Sequence, residues 1–170
     1  PPPRAPQVKA GGRALFLNAP PEAMLSDTGK GNLWRFLPAD RIFPFDITYI
    51  SGRGLWTPCS HVVPDHPVYT GLPSNCLMGQ EYRDVVSRWS MKTPATQWIS
   101  GNLTYDWYPG LDHKQNYLGV SAALHGADLT QVSHGDGRYL LCTHRLVENL
   151  GNDPVAERLF GNLVRWAVDG

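Results

Sequence analysis

The sequence has no excess of charge of either sign, because its 170 residues carry 15 Lys and Arg and 15 Asp and Glu. It has no basic run, and a basic patch is the electrostatic feature that nucleic-acid binding requires. It also has no apolar run near the length of about 20 residues that spans a bilayer. We therefore expect neither a nucleic-acid partner nor a membrane partner.

Cysteine is scarce, with three residues at positions 59, 76 and 142. They form no CxxC pair, which argues against a zinc site and against a disulfide framework. At most one disulfide is possible, with Cys59 and Cys76 as the candidates, and free, partly buried thiols are the favoured prediction. His61, Asp65 and His66 are metal-ligand residue types, but their spacing matches no established site. We predict no metal and no cofactor.

Length and composition favour one soluble globular domain, since 170 residues with 42% apolar content can bury a core. Residues 1–10 are proline-rich and predict an extended tail, and residues 11–170 predict a single α/β domain. Gly11-Gly12 leads into a strand without a preceding β-α unit, so the sheet is expected to lack its first strands. A bacterial cytoplasmic location and a periplasmic or secreted one both stay open.

The last third of the chain carries the clearest structural pattern. Gly135-Asp136-Gly137 predicts a tight turn, and the apolar run 138–143 predicts a strand covered on both faces. Asp153-Pro154 is a helix start, with the aspartate as N-cap and the proline in the first turn. In the helix that follows, Leu159 and Leu163 lie at the centre of an apolar stripe and are expected to be buried.

Elsewhere the pattern is weaker. We predict strands at 13–18, 98–99, 117–123 and 127–132, an extended segment at 47–50 and a strand-like segment at 82–91. A short helix is expected at 31–40. Four prolines between positions 57 and 74 predict a structured loop.

Three segments in this order carry a resemblance to a known family. They are Gly11-Gly12-Arg13-Ala14-Leu15-Phe16-Leu17, His66-Pro67-Val68-Tyr69-Thr70-Gly71-Leu72-Pro73 followed by Glu81-Tyr82, and the unit from Gly135 to Ala167. Together they resemble the glutamine-amidotransferase-like accessory domain of bacterial glycoside hydrolases of the β-galactosidase and β-mannosidase kind. The resemblance implies a three-layer, flavodoxin-like α/β sheet flanked by helices. It also implies a position beside a sugar-cleaving domain.

The chain departs from the active members of that class. An amidotransferase needs a nucleophilic cysteine on a Gly-x-Cys-x-Gly elbow, and no cysteine here is flanked by glycines. Cys142 and His144 are the tightest Cys/His pairing, with Glu148 as the acid that would orient the imidazole. A buried thiol beside a surface histidine is the favoured interpretation of this pairing.

The densest aromatic patch is the segment 105–110, preceded by Trp98. Tyr105, Trp107 and Tyr108 are expected in a loop, where side chains are displayed, and aromatic faces bind sugar rings. An interface with a neighbouring domain is the favoured interpretation, and a place in the core and a contact with a sugar are the alternatives. Asp106 and Asp112 are the only acids near this patch, and nothing but proximity recommends them as the carboxylate pair of a glycosidase.

The sequence therefore predicts a non-catalytic domain of a glycoside hydrolase, with a role in architecture, oligomerisation or a carbohydrate cleft. Its partner would be the catalytic domain or another copy of the chain. The alternative function is a small hydrolase or amidotransferase-like enzyme that uses Cys142 and His144.

Overall fold

The structure is a computed structural model that describes residues 5–17, 35–38, 43–45, 47–51, 58–92, 96–107 and 120–169. It contains the helices α1 (Ala5–Lys9) and α2 (Pro154–Asp169). Its strands are β1 (Arg13–Leu17), β2 (Arg35–Pro38), β3 (Thr48–Ser51), β4 (His61–Val63), β5 (Cys76–Leu77), β6 (Ser90–Lys92), β7 (Thr96–Trp107), β8 (Val120–His134) and β9 (Gly137–Cys142).

Within the described residues, these strands form one mixed sheet. The main path runs β2-β3-β6-β8-β7-β4-β5, while β9 pairs with β8 and β1 pairs with β9. The pair of β1 with β9 is parallel, and the other described pairs are antiparallel. The α/β class is thus confirmed. A flavodoxin-like sheet consists of parallel strands with crossover helices, and that topology is not confirmed.

Strand β9 has the two covered faces that its apolar run predicts. Leu140 and Cys142 belong to the core that packs against α2, which we call the first core. Tyr139 and Leu141 point the other way, into a second core that includes α1 residue Val8. The turn before β9 packs closely on α1, because a Cβ at Gly137 would lie 1.9 Å from the carbonyl oxygen of Val8. Only glycine permits that approach.

Helix α2 confirms the prediction for the closing unit. The carboxylate of Asp153 accepts hydrogen bonds from the amides of Val155 at 2.7 Å and Ala156 at 3.2 Å. Leu159 and Leu163 are fully buried in the first core. At the other end of the helix, the guanidinium of Arg13 donates to the free carbonyls of residues 167 and 168, which favour a cation.

The N-terminal prediction of an extended tail is wrong for the residues that are described, because Ala5–Lys9 is helical. Gly11 and Gly12 end this helix instead of opening the domain. The amide of Gly11 donates to the carbonyl of Val8 at 3.0 Å, and Gly11 has a φ of 99°. Such a left-handed residue is a usual helix end.

Other boundaries also differ from the predictions. Residues 35–38 form a strand where a helix was expected. In the segment expected to be strand-like, a 3-10 helix (Gln80–Tyr82) and a turn at 83–85 come first, and the strand β6 begins only at Ser90. The strand predicted at 98–99 extends over the whole of β7. Two strands were expected at 117–123 and 127–132, and their described residues, 120–123 and 127–132, belong to one strand, β8. Long antiparallel pairing overrides the local turn signals here, since each strand supplies the other's hydrogen bonds. Among the described residues, no helix has the length and apolar character to cross a membrane.

Candidate functional site

The polar groups of the interior converge where β7 pairs with β8. The pairing of Ser100 with Leu129 is followed by that of Gly101 with Ala127, so Asp128 is an extra residue on β8. A β-bulge of this kind redirects a side chain. Asp128 is fully buried, although it follows Ala127 in a strand whose neighbouring residues fill the two cores.

Two side chains compensate the buried carboxylate of Asp128. The Nδ1 atom of His61 lies 2.7 Å from Asp128 Oδ2, and the side-chain amide of Asn102 donates to Asp128 Oδ1. His61 and Asn102 are themselves cross-strand partners on β4 and β7, which places their side chains on one face. An isolated buried carboxylate would be strongly unfavourable, so this arrangement is a condition for folding with Asp128 inside.

A second group of polar side chains surrounds His144. Its Nδ1 lies 3.0 Å from the hydroxyl of Ser87, and its Nε2 lies 3.2 Å from the hydroxyl of Tyr69. Tyr69 in turn donates to the hydroxyl of Ser100 at 2.7 Å. Burial lowers the pKa of His144 to about 4, against the opposing effect of the Asp128 charge. At neutral pH this imidazole is therefore uncharged. The hydroxyl of Thr143 joins this group by donating to the hydroxyl of Ser87 at 3.0 Å.

We call these two groups together the buried polar network; its members are His61, Tyr69, Ser87, Ser100, Asn102, Asp128, Thr143 and His144.

The network contains residue types that act in hydrolases, but none of them is accessible. Ser100 and His144 are buried, and so is Asp128. A nucleophile and its base must reach the substrate. What this arrangement can do chemically is fix the core: each hydrogen bond ties together segments that are distant in the chain, such as residues 69 and 144.

Cys142, His144 and Glu148 do not form an accessible catalytic group in the structure. The thiol of Cys142 is fully buried, which raises its pKa to about 12. Glu148 forms an ion pair with Arg145 at 2.6 Å, and this hydrogen bond lowers the pKa of the carboxyl. His144 is buried, contrary to the expected surface histidine. All three cysteines are free, with Cys59 and Cys76 exposed.

The aromatic residues named from the sequence are described in part. Trp98 is 42% exposed and its ring centroid lies 6.3 Å from that of His125. The backbone of Tyr105 and Trp107 belongs to β7, so the expected loop is wrong at these two positions, and their side chains lie outside the described part of the structure. Tyr108 and Asp112 also lie outside the described residues.

Trp98 belongs to a larger exposed surface that the sequence did not indicate. We call it the apolar strip; it consists of Leu77 on β5, Val62 on β4, and Trp98 and Leu103 on β7, which are 56%, 48%, 42% and 38% exposed. Leu77 is the cross-strand partner of Val62, and Val62 is that of Gly101, which pairs with Ala127 of the second core. Directly opposed residues share a face. The strip thus continues the sheet face that carries the second core.

The three metal-ligand residue types of the 61–66 segment do not converge. His61 points into the buried polar network, whereas the ring of His66 accepts a hydrogen bond from the amide of Val68 at 3.3 Å. Across the described residues, no group of three or more His, Cys, Asp or Glu side chains is placed to hold a metal ion.

Comparison of the chain with protein-family models, curated proteins and solved structures gave no match. The geometry described above is therefore the basis for a functional assignment.

Sequence reasoning missed Asp128, Asn102 and the hydroxyls around His144. A usable signal was present, because Asp128 is a charged residue between the apolar residues Ala127 and Leu129 in a segment predicted to be a strand. A charge at such a position is rarely buried without a partner. The identity of the partners was not readable, since they come from other strands.

Proposed function

We propose that this chain is a non-catalytic α/β domain that docks on the catalytic domain of a glycoside hydrolase through the apolar strip. The observation that carries this proposal is the strip itself, in which four large apolar side chains are exposed on three neighbouring strands. Contiguous exposed apolar surface of this kind marks an interaction site, whereas scattered apolar residues are ordinary. The choice of a glycoside hydrolase as partner rests on the family resemblance.

The burial of Cys142 and His144 supports a non-catalytic role. The thiol that the alternative function requires is held protonated by burial, with its pKa raised to about 12. Cysteine chemistry depends on the thiolate, which is scarce at neutral pH in such a site. The alternative, an enzyme that uses Cys142 and His144, would need an opening of the core that exposes both side chains.

The relationship to flavodoxin-like amidotransferase domains is part of the same proposal. It is supported by the parallel pair of β1 with β9 and by the packing of α2 against β1. The antiparallel pairing of the other described strands counts against it. The proposed docking role does not depend on this relationship, because the strip lies on β4, β5 and β7.

The test first identifies the polypeptide that is encoded next to this chain, in the adjoining reading frame or in the continuation of this one, and then measures its complex with the chain. If it is a glycosidase catalytic domain, Val62→Lys and Leu77→Lys should each weaken its complex with the chain by about tenfold or more, which is about 1.4 kcal/mol. Val164→Lys on α2 is the matched control, since Val164 is 40% exposed and lies outside the strip. A complex that both strip variants leave unchanged would refute the docking surface.

Activity assays address the alternative separately. We expect no turnover of chromogenic glycosides or glutamine by the isolated chain. Turnover that disappears in Cys142→Ser would establish the enzyme and overturn the non-catalytic proposal.

A further inference from the structure

Two depressions among the described residues lie apart from the apolar strip. They lie beside residues 65–74, which we call the 65–74 loop. One cleft of about 300 Å³ runs between this loop and the C-terminal half of α2, and a second of about 520 Å³ follows the loop itself. Pro67 and Thr70 line both clefts. The two volumes fall within the range of small-molecule sites, which is about 300–1,000 Å³.

Residues 67–70, which form the floor where the two clefts meet, are held in place by hydrogen bonds from α2. The side-chain amide of Asn162 on α2 donates to the carbonyls of Val68 at 3.0 Å and Thr70 at 2.9 Å. Val68 is fully buried, and the hydroxyl of Tyr69 is bonded inside the buried polar network. A floor fixed in this way would lose little conformational entropy on binding.

Two rings on the cleft walls have fixed orientations. His66 and Trp166 meet edge to face, with ring centroids 4.8 Å apart, and the indole N–H of Trp166 donates to Gln131 at 3.3 Å. Because His66 Nδ1 accepts from the amide of Val68, its ring proton is on Nε2 when it is neutral. Burial also lowers the pKa of His66. At neutral pH the ring thus offers one N–H donor and no charge.

The charged groups at the clefts have opposite signs. Arg165 and Asp169 line the first cleft, and Asp65 lines the second. An anionic ligand would meet two carboxylates, and a cationic ligand would meet the guanidinium. A neutral ligand rich in hydroxyl groups avoids both conflicts, because hydroxyls donate to carboxylates and accept from guanidinium and imidazole N–H groups. Its C–H surface would contact the aromatic ring of Trp166.

We propose that the two clefts form one binding site for a neutral saccharide of two or more rings, which crosses the ridge of Pro67 and Thr70. Arg165 and Asp65 provide hydrogen bonds at its two ends, and Trp166 provides the apolar contact. This inference does not require the docking role of the apolar strip, which lies on other strands.

The experiment is a titration of the chain with lactose, cellobiose and mannobiose, each to about 10 mM, followed by NMR of the backbone and indole N–H groups; this range detects a Kd near 1 mM, or about −4 kcal/mol. We expect one of the sugars to shift the indole signal of Trp166 and the amide signals of the 65–74 loop. Arg165→Ala and Asp65→Asn should each raise its Kd about tenfold. Both side chains are exposed, so the change in Tm should be small, although Arg165 also donates to Asn162 at 3.3 Å. Val164→Ala on the same helix is the control and should bind as the unaltered chain does.

Several results would overturn the proposal. The first is the absence of shifts with all three sugars. The second is binding of inorganic phosphate at the same signals with equal or higher affinity, which would indicate an anion site. The third is sugar binding that Trp98→Ala abolishes and Arg165→Ala leaves unchanged, which would place the sugar on the apolar strip. The first two results do not bear on the complex with a catalytic domain, which the Val62→Lys and Leu77→Lys variants test separately.

Discussion

The buried imidazole of His144 makes the stability of this protein depend on pH in a calculable way. In the unfolded chain a histidine has a pKa of about 6.5, whereas burial lowers the pKa of His144 to about 4 in the folded protein. Between these two values the unfolded state binds a proton that the folded state does not. The contribution of His144 to stability is therefore complete above pH 6.5 and is lost as the pH falls toward 4.

The magnitude follows from the two pKa values. Proton linkage gives a loss of about 2 kcal/mol at pH 5 and about 3 kcal/mol at pH 4, relative to pH 7. The imidazole ring is hydrogen-bonded to the hydroxyls of Ser87, Tyr69 and Ser100, which carry no charge that would stabilise a protonated ring. The nearby carboxylate of Asp128 raises the pKa but is outweighed by burial.

Urea unfolding followed by tryptophan fluorescence, repeated from pH 7.5 to 4.5, measures this effect. His144→Gln removes the titrating group but keeps a hydrogen-bonding side chain, so we expect it to be less stable at pH 7 and to lose less stability on acidification. His125→Gln is the matched control, since His125 is exposed. The reasoning is refuted if His144→Gln shows the same pH dependence as the unaltered chain, or if NMR finds His144 titrating near pH 6.5.

Three further predictions follow from single contacts. Leu163→Ala should lower the free energy of unfolding by about 2–5 kcal/mol in urea denaturation, because it empties a fully buried site, while Val164→Ala should change it by less than about 0.5 kcal/mol as a surface substitution. Asn162→Ala should lower the free energy of unfolding by about 1–3 kcal/mol, since it leaves two carbonyls of the 65–74 loop without their donor. The amides of that loop should then exchange their hydrogens faster than in the unaltered chain. Native mass spectrometry after treatment with iodoacetamide should find the two exposed cysteines labelled and Cys142 unlabelled until the chain unfolds; rapid labelling of Cys142 in the folded chain would contradict the burial argument.

The parts of the fold that were predictable from sequence are those determined by neighbouring residues. Helix α2 was predictable because its N-cap, its first-turn proline and its apolar stripe lie within one segment. Strand β9 was predictable because a continuous apolar run indicates a strand buried on both faces, whichever elements cover it. The partner of β9 was not predictable in this way. Its antiparallel pairing with β8 and parallel pairing with β1 depend on contacts between distant segments.

The buried polar network was hidden for the same reason. The hydrogen bonds of His144 reach Tyr69, which is 75 residues away, and Ser87, which is 57 residues away. A bulge moves Asp128 out of the regular alternation of β8, so the period of the strand does not reveal where its side chain points. The pairing of His61 with Asp128 therefore appears only once the strands are assembled.

Tyr69 connects the buried polar network to the 65–74 loop. This connection gives the buried polar side chains a role in a chain for which we propose a binding function. Tyr69 lines the second cleft, while its hydroxyl donates to Ser100 and lies 3.2 Å from His144 Nε2. Loss of these partners would leave a buried hydroxyl unsatisfied, which disfavours any displacement of the loop. The network therefore holds the 65–74 loop from within, as Asn162 does from α2. Residue types that would act on a substrate if exposed are used here to fix the shape of a surface.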